Sequence, residues 1–190
     1  MNRVHQIILI GSTILGSWLG MQAVHESGHV LGAWMSGGTV ARVVLNPLTI
    51  SRTDLAVNPF PLFVVWAGPV GGILIPLFVW AVAHALKWPA AFVLRFFAGF
   101  CWLANGMYIG IGSFTFAGDC GDMLRHGSVV WQLWLFGIIT SPIGMWMWHG
   151  QGTHFGLGRS SVDHINPGVA YGTLGACLGL VVLGFVVGGS

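Results

Sequence analysis

The chain has 190 residues, 55% of them hydrophobic, and only 6% are charged: seven Lys or Arg and five Asp or Glu. A soluble domain carries about a quarter charged residues, so a soluble enzyme, a disordered chain and a nucleic-acid binder with a basic surface are excluded. A formal net charge of +2 points to no acidic partner; what remains is an integral membrane protein surrounded by lipid, in which each ionisable residue marks a candidate functional site.

Crossing about 30 Å of hydrocarbon takes roughly 20 helical residues, and five apolar segments are long enough: 4–35, 61–86, 89–116, 129–148 and 168–187. The first follows Met1-Asn2-Arg3 as a signal peptide would. It runs on through Trp18 and Trp34 with no clear small-residue cleavage site, so it reads as a retained helix. Gly37-Gly38 ends it. Residues 38–58 alternate in Val40-Ala41-Arg42-Val43-Val44 and Ile50-Ser51-Arg52-Thr53 around Asn46-Pro47, which predicts a hairpin-like β element beside the membrane face. Lys87-Trp88-Pro89 is a tight turn that makes the second and third spans an antiparallel pair. The third span carries Gly106, Gly110 and Gly112, so its last turns are expected to unwind before Asp119. Residues 149–167 form a polar, Gly-rich connector holding His149, His154 and His164, whose spacing is not that of metal ligands.

Together these segments predict an all-α polytopic membrane protein of about five transmembrane helices, built as a single domain over residues 1–190. Thirty glycines, many inside spans, suit close helix packing. The ten tryptophans divide between interface belts and helix contacts. Arg3, Lys87 and Arg159 fall on one side and Arg42, Arg52 and Arg125 on the other, with Arg95 free to snorkel, so positive charge sets no orientation. Nothing in the sequence sets an oligomeric state. Cys101, Cys120 and Cys177 are widely spaced and form neither a disulfide framework nor a zinc knuckle.

His25-Glu26-Ser27-Gly28-His29 reads HExxH near the end of the first span. On a helix, residues i and i+4 share a face, so both imidazoles can hold one metal, with Glu26 about 100° round the helix beside them. This is the arrangement in which zinc activates a water and a carboxylate takes its proton. Chance alone gives on the order of 0.002 such matches at this chain's His and Glu frequencies, and Glu26 is the only glutamate. A structural polar cluster is the plainer alternative. A hydrolytic zinc site needs a third protein ligand, and Gly118-Asp119-Cys120-Gly121-Asp122-Met123-Leu124 lies on the same side of the membrane as the motif. Either acid can reach, or the pair can instead cap a helix beginning near Gly121. Asn105 on the third span is a candidate oxyanion or substrate donor, or else a helix-helix hydrogen bond.

These residues resemble the site-2 protease family of intramembrane zinc metalloproteases. HESGH at 25–29, Ala67-Gly68-Pro69 opening the next span, and an Asp motif after the third core span occur in the family's order over residues 15–127. The resemblance implies Zn2+ held by His25, His29 and Asp119, with Asp122 the runner-up, and Glu26 as general base and acid. It implies a catalytic core at 4–127 with additional helices at 128–190. It further implies a membrane-protein or peptide substrate and a place in the bacterial inner (cell) membrane. The chain departs from the family in having Gly72 where an Asn often follows AGP, Cys120 after the ligand Asp, and no PDZ domain. A non-catalytic regulator or metal transporter with a closed four-ligand site is the competing expectation. A bis-His haem protein is a weaker one, since His25 and His29 on one helix cannot take opposite faces of a haem.

Overall fold

The computed structural model describes residues 2–157 and 165–188. Arg159 and His164, weighed above, and the acid Asp163 lie outside the described residues. Helix α1 (Asn2–Met35) is followed by strands β1 (Thr39–Val44) and β2 (Arg52–Val57), then α2 (Pro61–Ala85), α3 (Ala91–Gly112), a short α4 (Asp119–Arg125), α5 (Val130–Trp148) and α6 (Pro167–Gly188). A 3-10 turn occupies Gln151–Phe155, where only a connector was expected. Five of these helices, α1, α2, α3, α5 and α6, are long and apolar enough to cross a membrane.

Their order follows from short links. At the end of α1, Gly37 takes φ +76 and Gly38 donates to the Ala33 carbonyl at 2.7 Å, turning the chain back along the helix. The two strands pair antiparallel with Val43 opposite Thr53. The second strand starts two residues later than the sequence pattern suggested and continues to Val57. Asn46 builds the reason: its Oδ1 accepts from Leu48 N–H and its carbonyl from Thr49 N–H, so 45–51 is a longer turn and Ile50 is left exposed. Along β2, Arg52 and Asp54 face outward and pair at 3.3 Å, while Thr53 and Leu55 turn inward.

The third span ends at Gly112, four residues short of the expected limit, and unwinds through 113–116 before α4. That short helix is anchored by Cys120 and Met123, both fully buried against Val65, Ile109 and Leu133. The α3 and α5 helices meet along small residues, Gly106 and Gly110 against Gly137 and Gly106 also against Thr140. Four indole N–H groups bind across the bundle, Trp66 to Ser128, Trp102 to the Ile73 carbonyl, Trp134 to Ser113 and Trp148 to the Phe96 carbonyl. Helix α6 packs on α1 and reaches the 45–47 turn with Gly184 and Gly188.

Candidate metal centre

The helical spacing of His25 and His29 puts both rings on one face of α1, and their Nε2 atoms lie 3.1 Å apart. Each ring has its other nitrogen occupied. The Nδ1–H of His25 donates to Asn105 Oδ1 at 2.7 Å, and the Nδ1–H of His29 donates to the Val64 carbonyl at 2.9 Å. Both acceptors lack a proton to give, so Nδ1 of each ring carries a hydrogen and Nε2 of each, the atom that would bind a metal, is directed toward the same point. Partners of this kind fix the tautomer and orientation of metal-binding histidines.

Asp119 completes the group. Its Oδ2 lies 2.8 Å from His25 Nε2 and 3.4 Å from His29 Nε2, and His25, His29 and Asp119 are, among the described residues, the cluster able to hold a metal. A tetrahedral ion with bonds of about 2.0–2.2 Å separates its ligand atoms by about 3.3–3.6 Å. The observed separations of 2.8, 3.1 and 3.4 Å approach that triangle, so the donors fit such an ion after small outward shifts. Burial alone would raise the Asp119 carboxyl, but the imidazoles of His25 and His29 against it hold it well below the usual carboxylate range. It is therefore present as a carboxylate, the form a metal requires.

The approach of Asp119 is set by its neighbours. Gly118 caps α4 at φ +54, and a Cβ there would strike the Tyr108 hydroxyl, which accepts from Asp119 N–H at 3.0 Å. No side chain caps this helix, so the capping role considered for the Asp pair is not what the acids do. Asp122 is half-exposed and accepts from Arg125 Nη1 at 3.0 Å, outside the ligand cluster. Cys120 turns its Sγ to the Tyr108 and Ile109 carbonyls, and burial pushes its thiol up to about 11. With its Sγ turned to those carbonyls, it lies outside the His25, His29 and Asp119 cluster.

Asn105 is almost completely buried, with Oδ1 taken by His25 and Nδ2 donating to the Cys101 carbonyl at 2.8 Å. In this structure Asn105 makes the helix-helix hydrogen bond that orients a ring, and it also borders the cavity that His25, His29 and Asp119 line. Gly72 makes room for it, because a Cβ at 72 would fall 2.8 Å from Asn105 Nδ2. Gly72 on α2 and Asn105 on α3 thus form one packing arrangement. Gly68 of the Ala67-Gly68-Pro69 element has a similar task, since its Cβ would collide with the His29 ring.

Glu26 is 4% exposed, and its Oε2 accepts a hydrogen bond from Thr53 Oγ1 at 2.7 Å. His25, Glu26, His29 and Asp119 line one cavity of about 720 Å³, bounded by Trp18 and Gln22 on α1, the 49–55 stretch, Pro61 and Val64 on α2, and Asn105 and Tyr108 on α3. Asn58 also borders it, and its buried Oδ1 has no partner. Thr53, Tyr108, Asn58 and the Val64 carbonyl escaped the reading of the sequence. Tyr108 had a signal, one of two tyrosines and three residues from Asn105 on the same helical face. A backbone carbonyl has none.

Compared with models of known protein families, with curated proteins and with solved structures, the chain matches none of them, so the meaning of this site rests on its own residues.

Proposed function

We propose that the protein is a membrane-embedded zinc metallopeptidase that hydrolyses peptide bonds in or beside the bilayer, in the manner of the site-2 protease family it resembles, and that it resides in a bacterial inner membrane. One observation carries the reading: three convergent ligand atoms, from His25, His29 and Asp119, share a cavity wall with the chain's sole glutamate. Two imidazoles and one carboxylate suit zinc, and three protein ligands leave the open position of a catalytic site. A structural site is closed by a fourth protein ligand. The nearest candidates, Cys120 and Asp122, are engaged elsewhere.

Zinc, when bound, supplies a Lewis acid that polarises the scissile carbonyl and lowers the pKa of water. The residues of the chain do the rest. His25, His29 and Asp119 hold the metal, while Asn105 and the Val64 carbonyl keep the two rings aimed. Glu26 takes the proton of the attacking water on its carboxylate and passes it to the leaving amide nitrogen. A peptide bond in a helix is shielded by its own hydrogen bonds, so the substrate enters unwound. The cavity accommodates this: β2 pairs only with β1 within its sheet, and the 49–55 stretch borders the site, so an extended peptide can add along β2. The unpaired Asn58 Oδ1 offers an acceptor to a backbone N–H of that peptide.

The test is cleavage of a single-span reporter by purified protein in lipid. Glu26→Gln is expected to lower turnover at least about 100-fold, the usual scale of a general base, with zinc content unchanged. Undiminished cleavage by Glu26→Gln rejects the mechanism.

A further inference from the structure

We propose that Thr53, on the hairpin, is a positioning residue that aims the Glu26 carboxylate and ties it to the strand along which substrate lies. The proposal rests on the hydrolytic reading above. Among the described residues, the Thr53 hydroxyl is the one side chain hydrogen-bonded to the Glu26 carboxylate, at 2.7 Å across 27 positions of sequence. A glutamate has three rotatable bonds, and a buried carboxylate without a donor is costly. The hydroxyl satisfies one oxygen and selects one rotamer, leaving the other oxygen for the proton transfer. Two features show that the contact is built into the fold. The return of the chain at Gly37-Gly38 lays the hairpin against α1, with a Cβ at Gly38 falling 2.7 Å from the Val57 carbonyl. The period-2 alternation of β2 then turns Thr53 and Leu55 inward while Arg52 and Asp54 face out.

The consequence is one of register. A peptide that adds to β2 is fixed by main-chain hydrogen bonds to the same strand whose side chain holds the base. The offset between the scissile bond and Glu26 is then set by the backbone of β2 rather than by side-chain pockets. Specificity for substrate would accordingly lie in its ability to become extended at the right depth, with little demand on the residues flanking the cut.

Glu26 being the only glutamate allows a direct test. Cell-free synthesis with glutamate labelled at its carboxylate carbon marks this one carboxylate for carbon NMR or isotope-edited infrared spectroscopy of the full, zinc-loaded chain in nanodiscs. Thr53→Val keeps the shape of the side chain and removes the donor; Thr53→Ser keeps the donor. The signal is expected to shift in Thr53→Val and to return in Thr53→Ser, with zinc content equal in all three proteins. On the single-span reporter, Thr53→Val should lower kcat about tenfold, the worth of one hydrogen bond to a charged group, with KM within about twofold and recovery in Thr53→Ser. An unshifted signal in Thr53→Val, a shift that Thr53→Ser fails to reverse, or an unchanged kcat overturns the proposal. If Glu26→Gln itself still cleaves, the hydrolytic reading falls while the spectrum still decides the contact.

Discussion

Asp119 and Asp122 stand three residues apart on one short helix, yet they meet different partners. The first is enclosed by two imidazoles and a tyrosine, and the second shares solvent with Arg125. An exposed i,i+3 ion pair contributes at most about 1 kcal/mol, so Asp122 is expected to be dispensable. Asn105 lies between these extremes: it offers no atom to the proposed metal, but it holds the ring of His25 through Nδ1. Loss of such a partner ordinarily lowers metal affinity by about 10–100-fold. A zinc titration against a competing chelator therefore has a defined order. Asp119→Ala is expected to lose more than about 100-fold in affinity and Asn105→Ala about 10–100-fold, with Asp122→Ala within about twofold. Wild-type affinity in Asn105→Ala would return that residue to the substrate role suggested by its sequence position.

At the scale of elements, the spans were legible because apolar length is a strong signal, and HExxH because helical spacing by itself brings His25 and His29 together. What escaped depends on contacts between elements. The choice of Asp119 over Asp122 follows from the φ +54 of Gly118 and the Tyr108 hydroxyl beside it. The inward face of Thr53 depends on where the Asn46 turn releases the chain into β2. The α1–α2 crossing is tighter than the word AGP conveys: a Cβ at Gly28 would collide with the Ala67 carbonyl, and one at Gly68 with the His29 ring. Gly68→Ala is thus expected to cost about 1–3 kcal/mol through overpacking and to weaken zinc binding by turning the ring. Gly175→Ala on α6 is its control, because a Cβ there meets nothing within 4 Å. Gain of up to about 1 kcal/mol in helix propensity is expected at that position. Thermal melting in detergent with the same zinc titration separates the two; equal behaviour would show that the crossing tolerates a methyl group.

For the molecule as a whole, the centre draws on α1, β2, α2, α3 and α4, and the cavity lining runs from Trp18 to His126, so α5 and α6 support it from outside. The ligands themselves come from two elements about ninety residues apart in sequence, His25 and His29 on α1 and Asp119 on α4. An ion bound to all three closes that long loop, and an unfolded chain offers no such site. Binding energy then becomes folding energy. At zinc 100-fold above its dissociation constant, linkage gives about 2.7 kcal/mol, which for a chain of this size raises the melting temperature by about 5–10 °C. The shift should reverse with chelator, persist in Glu26→Gln and vanish in Asp119→Ala. Persistence in Glu26→Gln matters most, since that variant keeps every ligand while removing the proposed base. Loss of the shift in Glu26→Gln would instead make that carboxylate a ligand of the ion. A shift of equal size in Asp119→Ala would mean that the two histidines alone hold it, and α4 would then have no part in the centre.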